Sequence, residues 1–459
     1  MFTRSIDSIL PLWYLAPMNI VRFFTFSVLL LSFDVKAMEY VELCKSKMDC
    51  KKFSRLVMGT DHLVQSNWTT EGQPELSEAE AFEILDEAAK NGINFFDTSP
   101  IYVGGVENKL GKWKKSRSAP IRENSFYYRT NFNPDRKLYI LSKGGFPFDL
   151  FWSQRLEAGT HSQHLSRELR INGHIESTGN GEIALKNVPP GSYASRLYGS
   201  TEQITDRVAE ELSHTRANLE EDITIYLMHR DDGDTYGFKA IKRVQTSVRT
   251  IMEALASPQI ASYFWMLGWS NWQTDRITES LNLSHSEALV KPIINSPYFS
   301  LFEMSQRTIH ALGVQVTHRE MMDPSFQKGI KVMPYSPLGG FSILDKPAPQ
   351  WKNAKKAAKE KFEQGDAYWQ NVYHSLFTKD NEARWHRVVN FTRKFNGQNG
   401  TTYTIDQMIN AYALAHPRTD FLAVGPVNKE QIRRTVGSLE LAKKLTHQDL
   451  EYLYSGARN

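Results

Sequence analysis

From Met38 onward, short apolar runs alternate with longer amphipathic stretches, and each short run ends in polar residues or glycine. Eight such runs stand out: Leu56–Thr60, Ile93–Asp97, Leu138–Lys143, Ile223–His229, Trp265–Asn271, Pro292–Ser296, Ile330–Ser336 and Phe421–Gly425. Their length and punctuation read as buried strands. The stretches between them carry helix start and stop signals. Ser77-Glu78-Ala79-Glu80 and Ser200-Thr201-Glu202-Gln203 are capping boxes, Gly92 closes the first helix, and Asn428 to Gln431 opens the last. Repeated strand–helix units predict an α/β chain, and eight of them a (β/α)8 TIM barrel with all eight polar tips on one face.

Two stretches exceed what a plain barrel needs, so long insertions are expected after strands 3 and 7. Residues 146–199 lie in a βα connection and therefore rise from the face that carries the tips; residues 341–400 read as helical and polar. Long surface insertions add little closure entropy. Residues 1–37 stand apart from the barrel assigned to 38–459. The apolar run Phe23–Phe33 falls short of the ~20 residues that span a bilayer. Followed by Val35-Lys36-Ala37, it reads either as a secretory signal peptide or as an upstream extension with Met38 as the start. Export follows from the first reading and a cytoplasmic location from the second.

Composition narrows the function classes. Hydrophobic residues make up 41% of the 459, which supports a sizeable core rather than global disorder. The formal charge is only +4 and no basic stripe occurs, so nucleic acid is not an expected partner. Two cysteines, Cys44 and Cys50, make neither a disulfide framework nor a zinc quartet. They either pair locally or remain thiols. No metal-ligand cluster or carboxylate pair points to a hydrolase, and the oligomeric state is not encoded in any visible pattern.

Four residues at or just beyond consecutive tips carry chemistry. Asp97 ends the second run, Tyr102 follows five residues on, Lys143 ends the third and His229 the fourth. A phenol with a pKa of about 10 is a weak acid near neutrality. A lysine beside it is expected to lower that value, and an aspartate to hold the lysine in place. His229 would then hydrogen-bond a substrate oxygen. Any one of them alone reads as a helix cap, a loop residue or a core-edge histidine; four at neighbouring tips make the stronger signal.

At these positions the sequence resembles the aldo-keto reductases. Asp97-x-x-x-x-Tyr102 is followed by glycines, Glu107 and Leu110-Gly111; Leu141-Ser142-Lys143-Gly144-Gly145 and His229-Arg230-Asp231-Asp232 match the next two strand ends. Gly268-Trp269-Ser270-Asn271-Trp272 and Tyr335-Ser336-Pro337-Leu338-Gly339 match two more. The resemblance runs from about Arg55 to Tyr454. It implies Asp97, Tyr102, Lys143 and His229 as a catalytic tetrad, with Tyr102 the proton donor in NADPH-dependent reduction of an aldehyde or ketone. It also implies no metal, and a small carbonyl compound as partner. A cofactor-binding regulatory module with little turnover, resembling potassium-channel β-subunits, is the alternative.

The cofactor set implied by the same resemblance begins at the first tip, with Gly59 and Thr60. Ser270, Asn271 and Ser296 would hold the carboxamide, Tyr335 would stack on the ring, and Ser336 and Leu338 would meet the pyrophosphate. Gly425, Lys429, Gln431 and Arg434, with Arg433, lie where the adenosine phosphate would bind, and their charge leans toward NADP over NAD. Four positions depart from the family pattern: Ser296 replaces a glutamine, Thr435 an asparagine, and Pro426 and Val427 stand where a basic residue is usual.

Overall fold

The computed structural model describes residues 38–63, 76–100, 102, 105–117, 137–145, 200–230, 246–287, 289–305, 313–339, 351–364 and 367–457. It also gives the backbone of short strands at 175–177, 183–185 and 308–309. Residues 1–37, with the apolar leader-like run, lie outside the described residues, as does most of 146–199.

The eight barrel strands are β1 (Leu56–Gly59), β2 (Phe95–Asp97), β3 (Tyr139–Gly144), β4 (Ile223–Met228), β5 (Phe264–Ser270), β6 (Pro292–Ser296), β7 (Lys331–Val332) and β8 (Leu422–Val424). They pair in parallel in the order β7-β6-β5-β4-β3-β2-β1-β8. The ring closes where Tyr335, just past β7, bridges Ala423 of β8 in parallel. Each of the eight apolar runs is therefore a barrel strand. Helices follow in turn: α1 (Glu78–Lys90), α2 (Val106–Ser116), α3 (Thr201–Leu219), α4 (Val248–Leu255), α5 (Thr274–Ser286), α6 (His318–Met322), α7 (Ile405–Ala415) and α8 (Lys429–Ala442). Ser77 and Ser200 cap α1 and α3 through full capping boxes, and Asn428 caps α8. Gly92, at φ 89°, sits just past the end of α1.

Two apolar clusters follow from strand alternation. Val57, Phe95, Tyr139, Leu141, Ile225, Leu227, Ile294 and Met333 point inward and fill the barrel. The alternate residues point outward and meet the helices, as Leu56, Met58, Phe96, Ile140 and Tyr226 do.

The sequence pattern did not reveal a hairpin of strands Tyr40–Ser46 and Asp49–Ser54. Leu43 and Phe53 from it join the inner cluster and close the floor of the barrel. Phe53 lies 4.8 Å from Phe95 and 4.5 Å from Tyr139, ring centre to ring centre. Cys44 and Cys50 face each other across the hairpin in a disulfide, both on its exposed side.

The second insertion is more than a surface feature. It folds into helices at Trp351–Glu363, Ala367–Leu376 and Lys379–Asn399. Trp351, Leu376, Trp385 and Val388 are buried in the main outer core, with Trp351 stacked 6.1 Å from Trp385. None of its described lysines and glutamates, which made it look polar, is buried. Among the described residues, no helix is long and apolar enough to cross a membrane.

Candidate active site

Strand tips β2, β3 and β4 bring the four expected residues together. Lys143 Nζ lies 2.5 Å and 2.6 Å from the two carboxylate oxygens of Asp97. It donates to the Tyr102 hydroxyl at 2.7 Å and to the Thr98 carbonyl at 3.3 Å. An ammonium has three N–H groups, so this lysine is saturated and fixed in direction. The phenol's own hydrogen has only a long contact, 3.4 Å, to Asp97 Oδ2. The His229 ring stands edge-on to Tyr102, centroids 6.2 Å apart, and its backbone N–H donates to Gly144 O at 2.7 Å. Asp97, Lys143 and His229 are each under 7% exposed.

Burial dominates the electrostatics. It raises the Asp97 carboxyl and lowers the Lys143 ammonium, and in each case the partner's charge opposes the shift. His229 is pushed well below the ordinary histidine range by burial, then by Arg230 and Lys143, and so is neutral. For Tyr102 the expected direction is reversed. Burial raises the phenol well above 10, Asp97 and Asp61 raise it further, and Arg230 opposes them. The lysine's charge is already matched by Asp97, so it does not overcome the cost of a desolvated phenolate. Tyr102 therefore remains a protonated donor at neutral pH.

The expected cofactor residues fall at the tips of β5, β6 and β7. Ser270 Oγ donates to Ser296 O at 3.1 Å, and Asn271 Nδ2 donates to Ser270 Oγ at 2.9 Å and His229 O at 3.3 Å. Asn271 Oδ1 accepts from Tyr335 Oη at 2.7 Å and from Val314 N at 2.9 Å. Asn271 and Ser336 both adopt left-handed backbone, at φ 59° and 55°, a strained choice for residues other than glycine. Gly59 and Thr60 end β1, where Thr60 N and Oγ1 both donate to Asp97 O at 3.0 and 2.8 Å. Gly425 ends β8 against His62; a Cβ there would come within 2.7 Å of the imidazole.

A dinucleotide needs hydroxyl and amide donors, a flat face for its ring and room for its phosphates. The residues present fit this. The hydroxyls of Ser296 and Ser336 are unspent at two adjacent tips, and Tyr335 and Leu338 are only partly buried. Asn271 fits less directly, because reaching a carboxamide would require it to exchange an existing bond.

The basic group on α8 is ion-paired throughout. Lys429 meets Glu83 at 2.7 Å, Arg433 meets Glu87 at 2.8 Å, and Arg434 meets Asp406 at 2.8 Å and Glu430 at 2.7 Å. Gln431 Oε1 accepts from Val427 N at 2.6 Å at the start of the helix. Lys429 and Arg433 are substantially exposed, whereas the Arg434 side chain is 13% exposed and held.

Three residues near the tetrad were not evident in the sequence. Ser99 Oγ lies 3.2 Å from His229 Nδ1 and 3.3 Å from Lys143 O, tying two tetrad strands together. Asp61 acts electrostatically on Asp97, Tyr102 and Lys143. Arg230 donates to His229 O at 2.8 Å and faces Tyr102 and Tyr335 electrostatically. Only Arg230 had a signal, its place beside His229.

A model of the aldo/keto reductase family matches residues 55–455. The chain belongs to the aldo/keto reductase family. Its eight-stranded ring is the barrel of that family, and the family is one of oxidoreductases. No curated protein matches the chain.

Proposed function

We propose that this aldo/keto reductase reduces aldehydes or ketones to alcohols with NADPH, and that Tyr102 supplies the proton. One observation carries the reading: the Lys143 ammonium sits between Asp97 and the Tyr102 hydroxyl, at 2.6 and 2.7 Å. When bound, the reduced nicotinamide supplies a hydride. Tyr102 gives its proton to the carbonyl oxygen, and Lys143 Nζ stabilises the phenolate left behind. Neutral His229 hydrogen-bonds the same oxygen and orients it.

Ser270, Asn271 and Ser296 would hold the carboxamide, Tyr335 would lie against the ring, and Ser336 and Leu338 would face the pyrophosphate. Gly59, Thr60, Gly425 and Gln431 would line the remainder of the groove. The NADP preference rests on Lys429 and Arg433. The Lys429–Glu83 pair is exposed at both ends and Arg433 is itself exposed, so water and salt weaken the hold on both basic groups. A phosphate can therefore compete with Glu83 and Glu87 for them, whereas Arg434 stays with Asp406.

The test is NADPH titration of the purified chain, followed by a carbonyl panel read at the cofactor's absorbance, with Tyr102→Phe as control. Turnover that collapses in the control supports the reading. Tight NADPH binding with no turnover of any carbonyl would instead mark a cofactor-binding module.

A further inference from the structure

Two buried carboxylates lie behind the catalytic lysine and have no part in the reaction proposed above. Strand alternation turns Lys143 into the barrel and its neighbours Ser142 and Gly144 outward, toward α2 and α3. There Ser142 Oγ donates to Glu107 Oε1 at 2.7 Å, and Asn218 Nδ2 donates to Glu107 Oε2 at 3.4 Å. Gly145 N donates to Glu211 Oε1 at 3.0 Å and Oε2 at 3.3 Å, and Tyr226 Oη donates to Glu211 Oε1 at 3.1 Å. Gly144 forms the socket between them. A Cβ at that position would fall 1.5 Å from Glu211 Oε1 and 2.0 Å from Tyr226 Oη.

We propose that Glu107 and Glu211 are positioning residues for Lys143, gripping β3 from its outer face on both sides of the lysine. Glu107 is 3% exposed and Glu211 0%. Burying two carboxylates together is costly, and apolar side chains of the same size would stabilise the wall at least as well. The cost is visible at Glu107, where burial, with a contribution from Glu211, lifts the carboxyl to about 7. What carboxylates provide and apolar residues cannot is directed acceptance from the hydroxyl before Lys143 and the backbone N–H two residues after it. The reach of Nζ to two partners at 2.6 and 2.7 Å depends on where that short strand end lies. A displacement of ~1 Å at a reacting group costs on the order of 10²-fold in rate.

The inference rests on the carbonyl-reductase reading, and its test separates the two. Ser142→Ala removes the hydroxyl that Glu107 accepts; Glu211→Leu removes both acceptors, and Glu211→Gln retains one. Ser142→Ala and Glu211→Leu should each lower kcat by about tenfold, with the NADPH Kd from fluorescence titration within about twofold of wild type. Glu211→Gln should recover to within about threefold of wild type. The decisive measurement repeats Ser142→Ala in a Lys143→Met background, where it should cost nothing further, because the group it positions is gone. An equal fold-loss in both backgrounds, or an unchanged kcat for Ser142→Ala, overturns the proposal. If Glu211→Leu yields no folded protein, the Ser142→Ala cycle decides alone. A wild-type chain that turns over no carbonyl sinks the reading and this proposal with it; an active wild type with additive losses sinks the proposal only.

Discussion

The floor and the mouth of the barrel are built on opposite principles. At the floor, Phe53 from the hairpin fits among Phe95, Tyr139 and Trp265, and the neighbouring inward residues are apolar. At the mouth, the same strands carry Asp97, Lys143 and His229 into nearly complete burial, and left-handed backbone is held at Asn271 and Ser336. The floor gains stability from area removed from water. The mouth loses stability to desolvation and strain, and in return fixes the groups that react. One set of eight strands serves both ends because each run changes character at its last residue.

This contrast predicts that floor substitutions move stability and mouth substitutions move rate. The largest stability effect is expected for Phe53→Ala, a loss of about 3–5 kcal/mol, with turnover per folded molecule unchanged. Denaturant titration and active-site counting on the same sample check it; a rate loss exceeding the loss of folded protein would erase the distinction.

Next comes the wall behind the mouth. Burial raises the Glu107 carboxyl from 4.5 to about 7. Between those values the folded chain keeps a proton that the unfolded chain has released. Stability should therefore fall as pH rises through that window, by roughly 3 kcal/mol from this residue. Glu107→Gln should flatten that slope, which urea midpoints at pH 5 and pH 8 would show; an unchanged slope would mean that Glu107 titrates normally.

Tyr102→Phe should reverse the floor pattern. Turnover should fall by at least ~10²-fold, about 2.7 kcal/mol, while melting temperature and NADPH affinity stay close to wild type. Full activity in this variant would assign the proton to another group. A smaller effect belongs to the hairpin disulfide, which closes a loop between cysteines six apart. Removing it through paired Cys44→Ser and Cys50→Ser changes should cost about 2 kcal/mol and leave kcat alone. The smallest effect concerns α8. NADPH should bind up to about tenfold more tightly than NADH, and the margin should narrow as salt rises. Equal affinities at every ionic strength would remove Lys429 and Arg433 from the site.

What could be read in the sequence followed the contrast between apolar bodies and polar tips. Asp97, Lys143 and His229 were visible because each breaks an apolar run at its end, and Tyr102 because its spacing from Asp97 is specific. The hairpin escaped notice because its strands are mostly polar, with Leu43 and Phe53 its buried inward anchors and Val41 only partly covered. Glu107 stood out only as a member of the motif after Tyr102, and Glu211 carried no signal; nothing local reveals that both face the strand end that carries Lys143. Lys429 and Arg433 appeared free because their partners, Glu83 and Glu87, lie 346 residues away in the chain. The Tyr102 shift was misjudged because spacing shows charges but not how completely water is excluded around them.

The ring seam between β1 and β8 also governs how the chain must be made. Arg55, next to β1, donates to the carbonyls of Leu414 and Thr419, which lie 359 and 364 residues later. At about 5–20 residues per second, a ribosome needs roughly 20–70 s to deliver that second half of the seam. Throughout that interval β1 has an open edge and an uncovered apolar face, which is the exposure that drives aggregation. Synthesis speed and chaperone supply, rather than equilibrium stability, should therefore limit how much soluble enzyme a cell recovers.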